Sequence, residues 1–397
     1  MGSLRLACAH TAGTAASRLS RLLGRGRGET VYGRTLLALD PQALTKLSRN
    51  RDIVLVSGTN GKTTTTNLLS QVLADGTDEG VSTSVYGANM TAGIAAAIGA
   101  IPRHRYVVLE CDELYLPEMY RVLKPRVIVL LNLSRDQLHR TGEVRKVANL
   151  WHNAFNHDDV TFVIDRDDPF LEYAVSQAGH VVRVSFGGRR HPDAATCPAC
   201  LALLDWSHGD YQCQCGLGST LATVRSDKRL NGPARNAVLA VEAARLMGAV
   251  VPLEVQEQLT IQAPDRVTEY DVDGVTVSTR LAKNPESWRG AIVATTAPQV
   301  VLSVNARGID GRDTSWLWDI DYSAFAGRTV VCTGERQLDV AYRLSVQGVE
   351  VTVAQDFAAA VRSLDASLPI QAIASYTAYQ DLAAATMGIR KATGGRS

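Results

Sequence analysis

Gly58-Thr59-Asn60-Gly61-Lys62-Thr63-Thr64 follows an apolar run, Ile53 to Ser57, and precedes a segment with helical spacing. A glycine-bearing turn at a helix N-terminus gathers backbone N–H groups and presents the positive end of the helix dipole, so it suits anionic phosphate. Lys62 would add a point charge at the β- and γ-phosphates, and Thr63 a hydroxyl for Mg²⁺. The general pattern G-x-x-x-x-G-K-[ST] needs glycine at position 56, where this chain has Val56, but the variant G-T-N-G-K-T is complete. The plain alternative is a strand–helix turn that merely contains glycines.

A second group is Cys197-Pro198-Ala199-Cys200 and Cys213-Gln214-Cys215, four of the seven cysteines. Two close pairs on turns can supply four thiolates to one tetrahedral Zn²⁺, which leaves no open position and implies a structural role. The second pair is C-x-C where a ribbon has C-x₂-C, so His208 is a substitute ligand and free thiols are the alternative. The clustering points to metal and a reducing compartment rather than a disulfide framework.

These groups need elements to position them. Ile53–Ser57 reads as a buried strand running into the loop, and Thr65–Leu73 as the helix after it. Further buried strands are expected at 106–109, ending at Glu110-Cys111-Asp112-Glu113, at 127–131, ending at Asn132, and at 160–164, ending at Asp165. Polar residues after each apolar strand match the ligand-bearing edge of an open parallel α/β sheet. Residues 190–220 interrupt this rhythm, and Asn236–Met247 reads as an alanine-rich helix. Residues 262–275 read as a linker into a second α/β unit, with strands at 299–304, 329–332 and 349–353 and helices at 338–346 and 356–364.

With 397 residues, two or three domains are expected. Lys plus Arg is 41 and Asp plus Glu is 40, a balance that argues against a nucleic-acid partner. No apolar stretch is long enough for a membrane span. Residues 1–35 carry Arg5, Arg18, Arg21, Arg25, Arg27 and Arg34 against one acid, Glu29. That composition can mimic a transit peptide, but an amphipathic helix followed by a Gly-Arg loop at 24–28 is the preferred reading, and the tail 394–397 is expected to fray.

The G-T-N-G-K-T loop resembles that of the Mur ligase superfamily, which includes folylpolyglutamate synthase. The resemblance implies ATP-dependent phosphorylation of a carboxylate, followed by attack of an amine on the acyl phosphate. It carries Gly58, Thr59, Asn60, Gly61, Lys62, Thr63, Thr64, Asn236 and Arg266 over as nucleotide-binding residues, and Thr63 and Glu110 as Mg²⁺ ligands. Asn132 to Arg140 is similar to the family's N-x-x-x-D-H-L-D, with Gln137 for its histidine and His139 for its last aspartate.

About fifty residues precede the loop strand, too few for the UDP-sugar domain of the ordinary ligases. Leu281-Ala282-Lys283-Asn284-Pro285, the run Asp310 to Asp319 (D-G-R-D-T-S-W-L-W-D), Asp167-Asp168-Pro169, Arg336–Leu344 and Ser375–Ala378 resemble the MurT branch, the synthetase subunits of lipid II isoglutaminyl synthase. Departures are the shortened cysteine knuckle, His139, and Asp265 where glycine is expected before Arg266.

The implied fold is an α/β chain with an N-terminal segment at 1–50. A Mur ligase-type central domain at 51–262 follows, with a Cys₄ zinc ribbon inserted near 190–220, and then a smaller α/β domain at 263–397. The implied reaction converts the α-carboxylate of D-isoglutamate in the lipid II stem peptide to D-isoglutamine, in cell-wall synthesis. Ammonia would come from a GatD-like class-I glutaminase in a heterodimer. The place implied is the cytoplasm, with contact at the inner leaflet of the plasma membrane.

Neither Cys111 nor Cys332 has the setting of a glutaminase nucleophile. The resemblance implies that an aspartate here completes the partner's Cys-His pair, and Asp313 is preferred over Asp310, Asp319 and Asp321. The alternatives are a partner-free folylpolyglutamate synthase-like ligase and a non-catalytic nucleotide-binding scaffold.

Overall fold

The computed structural model describes residues 2–23, 28–84, 89–99, 104–136, 142–156, 159–188, 190–207, 210–218, 220–226, 230–261, 267–308 and 313–393. It divides into two compact units, Met1–Ser134 with Glu143–Pro264, and Arg135–Gly142 with Asp265–Ser397.

The first unit opens with helices α1 (Gly2–Leu22), α2 (Glu29–Leu39) and α3 (Ala43–Ser48). Its strands are β1 (Asp52–Ser57), β2 (Val81–Thr83), β3 (Tyr106–Glu110), β4 (Val127–Leu130), β5 (Thr161–Asp165), β6 (His180–Ser185) and β7 (Val224–Arg225). They form one sheet in the order β2-β3-β1-β4-β5-β6-β7, with every pairing parallel. Parallel strands need crossovers, so both faces become covered and the strands read as continuous apolar runs.

Alternation divides the core in two. Ile53, Leu55, Val107, Leu109, Ile128 and Leu130 enter one cluster, with Trp151, Phe155 and Phe162. Val54, Val56, Val108 and Val129 enter the other, with Leu69 and Leu73 of helix α4 (Lys62–Gly76) and Val238 and Leu239 of helix Gly232–Leu246. The β1–α4 turn therefore sits beside the middle of the sheet, at its carboxyl edge, between β3 and β4.

The second unit holds β8 (Val267–Val272), β9 (Val275–Leu281), β10 (Gln299–Ser303), β11 (Thr329–Thr333), β12 (Val351–Val353) and β13 (Ile370–Ala374). Their order is β12-β11-β10-β13-β9-β8, parallel except for the antiparallel β8–β9 pair. This corrects the linker expected at 262–275, because residues 267–272 and 275–281 are the two arms of a hairpin. Asp273 (φ 54°) and Gly274 (φ 85°) make its tight turn. Helix Pro285–Ala294 begins with a capping box in which Asn284 and Ser287 exchange hydrogen bonds, which explains the Lys283-Asn284-Pro285 run. The loop at 24–27 and the tail at 394–397 lie outside the described residues.

Candidate active site

Gly58 has φ 137° and Gly61 φ 87°, both in the region that L side chains avoid. Space forbids a side chain as well. A Cβ on Gly58 would lie 2.9 Å from the Asn132 carbonyl oxygen, and one on Gly61 would lie 2.0 Å from Asn236 Nδ2. Helix Gly232–Leu246 thus brings Asn236 against the loop. Asn132 at the end of β4 clamps the other side: its Oδ1 accepts from the Asn60 amide at 2.9 Å, and its Nδ2 donates to the Asn60 carbonyl at 3.0 Å. The Thr59 amide donates to the Asn132 carbonyl at 2.9 Å, and the Ser134 amide to Thr59 Oγ1 at 3.0 Å. Ser134 Oγ is buried without a partner, a polar group that a bound ligand could satisfy. The first amides of α4 have no partners inside the helix, so the loop and helix start together suit a polyphosphate.

Lys62 and Thr63 open α4. Lys62 Nζ donates to the Gly58 carbonyl at 2.5 Å and pairs with Glu113 Oε1 at 3.1 Å. Thr63 Oγ1 donates to Glu110 Oε2 at 2.6 Å, and Asn89 Nδ2 to Glu110 Oε1 at 3.3 Å. Ser84 Oγ accepts from the Glu110 amide at 3.0 Å. A buried carboxylate against a threonine hydroxyl at a phosphate loop is a hard oxygen donor set, which fits Mg²⁺. Three acids in four residues, Glu110, Asp112 and Glu113, are buried at this strand end. Burial, followed by the charges of Asp112 and Glu113, drives the Cys111 thiol well above its usual range. Burial also pushes Cys332 up to about 12. Both thiols are neutral near pH 7 and unsuited to nucleophilic attack.

Sequence reasoning missed several of these groups. In the sequence Glu113 is only one acid of a polar strand end, and no spacing singles out Asn89. Nor does any spacing mark the charge cluster behind the loop, where Arg235 Nη2 meets Asp165 Oδ2 at 2.9 Å and Asp167 Oδ2 at 3.1 Å. Burial pushes the Asp165 carboxyl up to about 7, against the opposing pull of Arg235. Arg235 also stacks over Phe186, 4.6 Å from the ring centroid. It directly precedes Asn236, so the cluster fixes that helix where Asn236 touches Gly61. The strand-end position of Asp165 was the available signal.

The four clustered sulfurs all lie within 4.8 Å of one another, with Cys197–Cys215 at 3.6 Å and Cys200–Cys213 at 3.4 Å. A tetrahedral zinc with about 2.3 Å bonds sets its sulfurs about 3.8 Å apart, so the quartet fits that ion. Leu201 (φ 67°) and Gly216 (φ 90°) close the two knuckles, and the C-x-C pair still delivers both sulfurs. The Ala202 amide lowers Cys200 to about 7, whereas burial pushes Cys197 up to about 12.

In the second unit, the Asp313 carboxylate is exposed and caps a turn by accepting from the Ser315 amide at 2.8 Å. Asp319 accepts from Arg135 at 3.0 Å, and Asp321 from the Ser323 amide at 2.9 Å. Trp316 packs on buried Trp288, while Trp318 is exposed beneath Arg343. Arg266, Asp265, Asp310 to Arg312, Gln137 to Arg140 and His208 lie outside the described residues.

Residues 56–200 match the Mur ligase middle domain, and residues 281–379 match the MurT ligase C-terminal domain. The chain is 27% identical over 410 residues to the lipid II isoglutaminyl synthase (glutamine-hydrolyzing) subunit MurT of Staphylococcus aureus (strain N315), covering 91% of this chain and 93% of that protein. The chain is a homologue of the MurT ligases. The MurT subunit of Streptococcus pneumoniae (strain ATCC BAA-255 / R6) is 29% identical, over 83% of this chain and 84% of its own.

Among solved structures, a pseudomurein peptide ligase type C from Methanothermus fervidus matches with TM-score 0.61 at 16% identity, covering 85% of this chain and 79% of its own. MurF from Acinetobacter baumannii matches with TM-score 0.58 at 17% identity, covering 90% and 80%. They share the fold. As a MurT homologue the chain is an ATP-dependent ligase, and a MurT subunit belongs to a complex.

Proposed function

We propose that this chain amidates the α-carboxylate of D-isoglutamate in the stem peptide of lipid II, using ammonia from a glutaminase subunit. The observation that carries the reading is the conjunction of a built phosphate loop with the similarity to MurT subunits over 91% of the chain. The loop amides and Lys62 hold the polyphosphate of ATP, with Asn236 bounding the loop at Gly61. Thr63 and Glu110 would hold Mg²⁺, which would supply neutralisation of phosphoryl charge.

The carboxylate oxygen takes the γ-phosphoryl group and ADP leaves. Ammonia then attacks the acyl carbon, phosphate departs, and the nitrogen loses a proton to give the amide. Lys62 lies where charge accumulates in the first step. The neutral thiols Cys111 and Cys332 leave glutamine hydrolysis to the partner, and exposed Asp313 is the residue offered to that partner's Cys-His pair. The four cysteines would hold a structural Zn²⁺.

The test is ATP turnover with lipid II, first with ammonium chloride and then with glutamine plus a class-I glutaminase subunit. Amidation with ammonia alone, and with glutamine only when the partner is present, is expected. ADP formation driven by folate and glutamate would overturn the reading.

A further inference from the structure

Helix α1 buries one side and leaves the other open. Ala9 and Ser20 are buried, the site of Gly13 is closed by the Tyr32 ring, and His10 Nε2 bonds the Gly99 carbonyl at 3.0 Å. Leu4, Cys8, Thr11, Ala15, Leu19 and Leu22 are all exposed, and their i, i+4, i+7 spacing makes one continuous stripe. The leucines are not grazing the surface: Leu4 is 73%, Leu19 58%, Leu22 84% and Leu23 61% exposed. Arg18 and Arg21 are exposed along one border of the stripe, and Arg5 stands on the other with its Nε on the Leu39 carbonyl. No acid occurs in α1, and Arg25, Arg27 and Arg34 follow in sequence against Glu29 alone.

An apolar stripe that stays wet in a folded chain needs a cover. Leucines at both ends of the stripe, small side chains between them, arginines along its borders and no acid fit an anionic bilayer surface. There the leucines enter the acyl boundary while the guanidinium groups meet lipid phosphates. A protein partner would not require charge of one sign only. No helix among the described residues is long and apolar enough to cross a membrane, so the contact lies in the plane of the surface.

We propose that the outer face of α1, Leu4 to Leu22 with Arg18 and Arg21, is a membrane-surface dock that holds the chain on the leaflet carrying its lipid-linked substrate. The inference rests on the amidation reading for its purpose but not for its chemistry.

The experiment is sedimentation of the full chain with vesicles of phosphatidylglycerol and, separately, of phosphatidylcholine. Binding to the first, weakened by salt and absent from the second, is expected. Removing each arginine should weaken binding about fivefold, and Leu19→Ser with Leu22→Ser should abolish it while circular dichroism is unchanged. Those variants should amidate detergent-dispersed lipid II at the wild-type rate and lipid II in vesicles more slowly. Failure of the wild-type chain to bind phosphatidylglycerol vesicles overturns the dock. So does a leucine variant that keeps vesicle binding but loses the glutaminase subunit or a second copy of the chain, since the face then belongs to a protein. Vesicle binding without amidation of lipid II in either form would instead sink the amidation reading and leave the dock standing.

Discussion

Thr63 Oγ1 donates to Glu110 Oε2 across 2.6 Å, joining the first turn of α4 to the end of β3 although 47 positions separate the two residues. Neither group has a reason to be buried alone, and together they form the oxygen pair that a magnesium–nucleotide complex needs. Glu110→Gln keeps the shape and removes the charge. Amidation should fall by about 10²-fold or more with either nitrogen source, and raising Mg²⁺ should recover only part of the loss. Unchanged turnover at ordinary Mg²⁺ would remove Glu110 from the site.

Lys62 and Glu113 are both buried and paired at 3.1 Å. Lys62→Ala should abolish turnover, and it should also lower stability by about 3 kcal/mol because it strands a buried carboxylate. Glu113→Gln in the same chain should restore most of the melting temperature without restoring activity. Thermal denaturation and turnover measured on the single and double variants separate the two roles.

Asp165 is held protonated to higher pH than an ordinary aspartate, with its pKa at about 7 through burial. The folded state therefore binds more protons than the unfolded state between roughly pH 4 and 7, and this group's contribution to stability is lost as pH rises through that window. Melting temperature against pH should show that decline in the wild-type chain and a flatter profile in Asp165→Asn. Identical slopes would mean that Arg235 keeps Asp165 ionised throughout.

Four thiolates around one ion predict one zinc per chain by elemental analysis, released on acidification as protons compete for the sulfurs. Cys200→Ser should lower zinc retention and unfold the 190–220 insertion, seen as faster proteolysis there. Nucleotide binding at the loop should be much less affected.

Asp313 caps a local turn at an exposed position, so Asp313→Ala should cost little stability. Ammonia-driven amidation should persist, while glutamine-driven amidation in the complex should drop by about 10²-fold or more. Loss of both activities would assign Asp313 to this chain's own chemistry.

Strand β1, its turn and α4 were legible in the sequence because each rests on local rules: a β-branched apolar run, glycines at 58 and 61, and helical spacing after them. The same rules exposed the cores of β3, β4, β5, β10 and β11 and the two cysteine pairs. They failed at 267–281, where exposed Glu269 and Asp271 flank buried Tyr270 in the edge strand β8, so no apolar run marks the hairpin. Tertiary structure alone decided which distant groups meet. The order β3-β1-β4 puts Glu110 and Asn132 on either side of the loop, and β5 brings Asp165 to Arg235, 70 positions away. That helix then seats Asn236 against Gly61. Such partners depend on how strands order within the sheet and on which face each crossover covers. These are consequences of burying both faces at once, and no spacing along the chain encodes them.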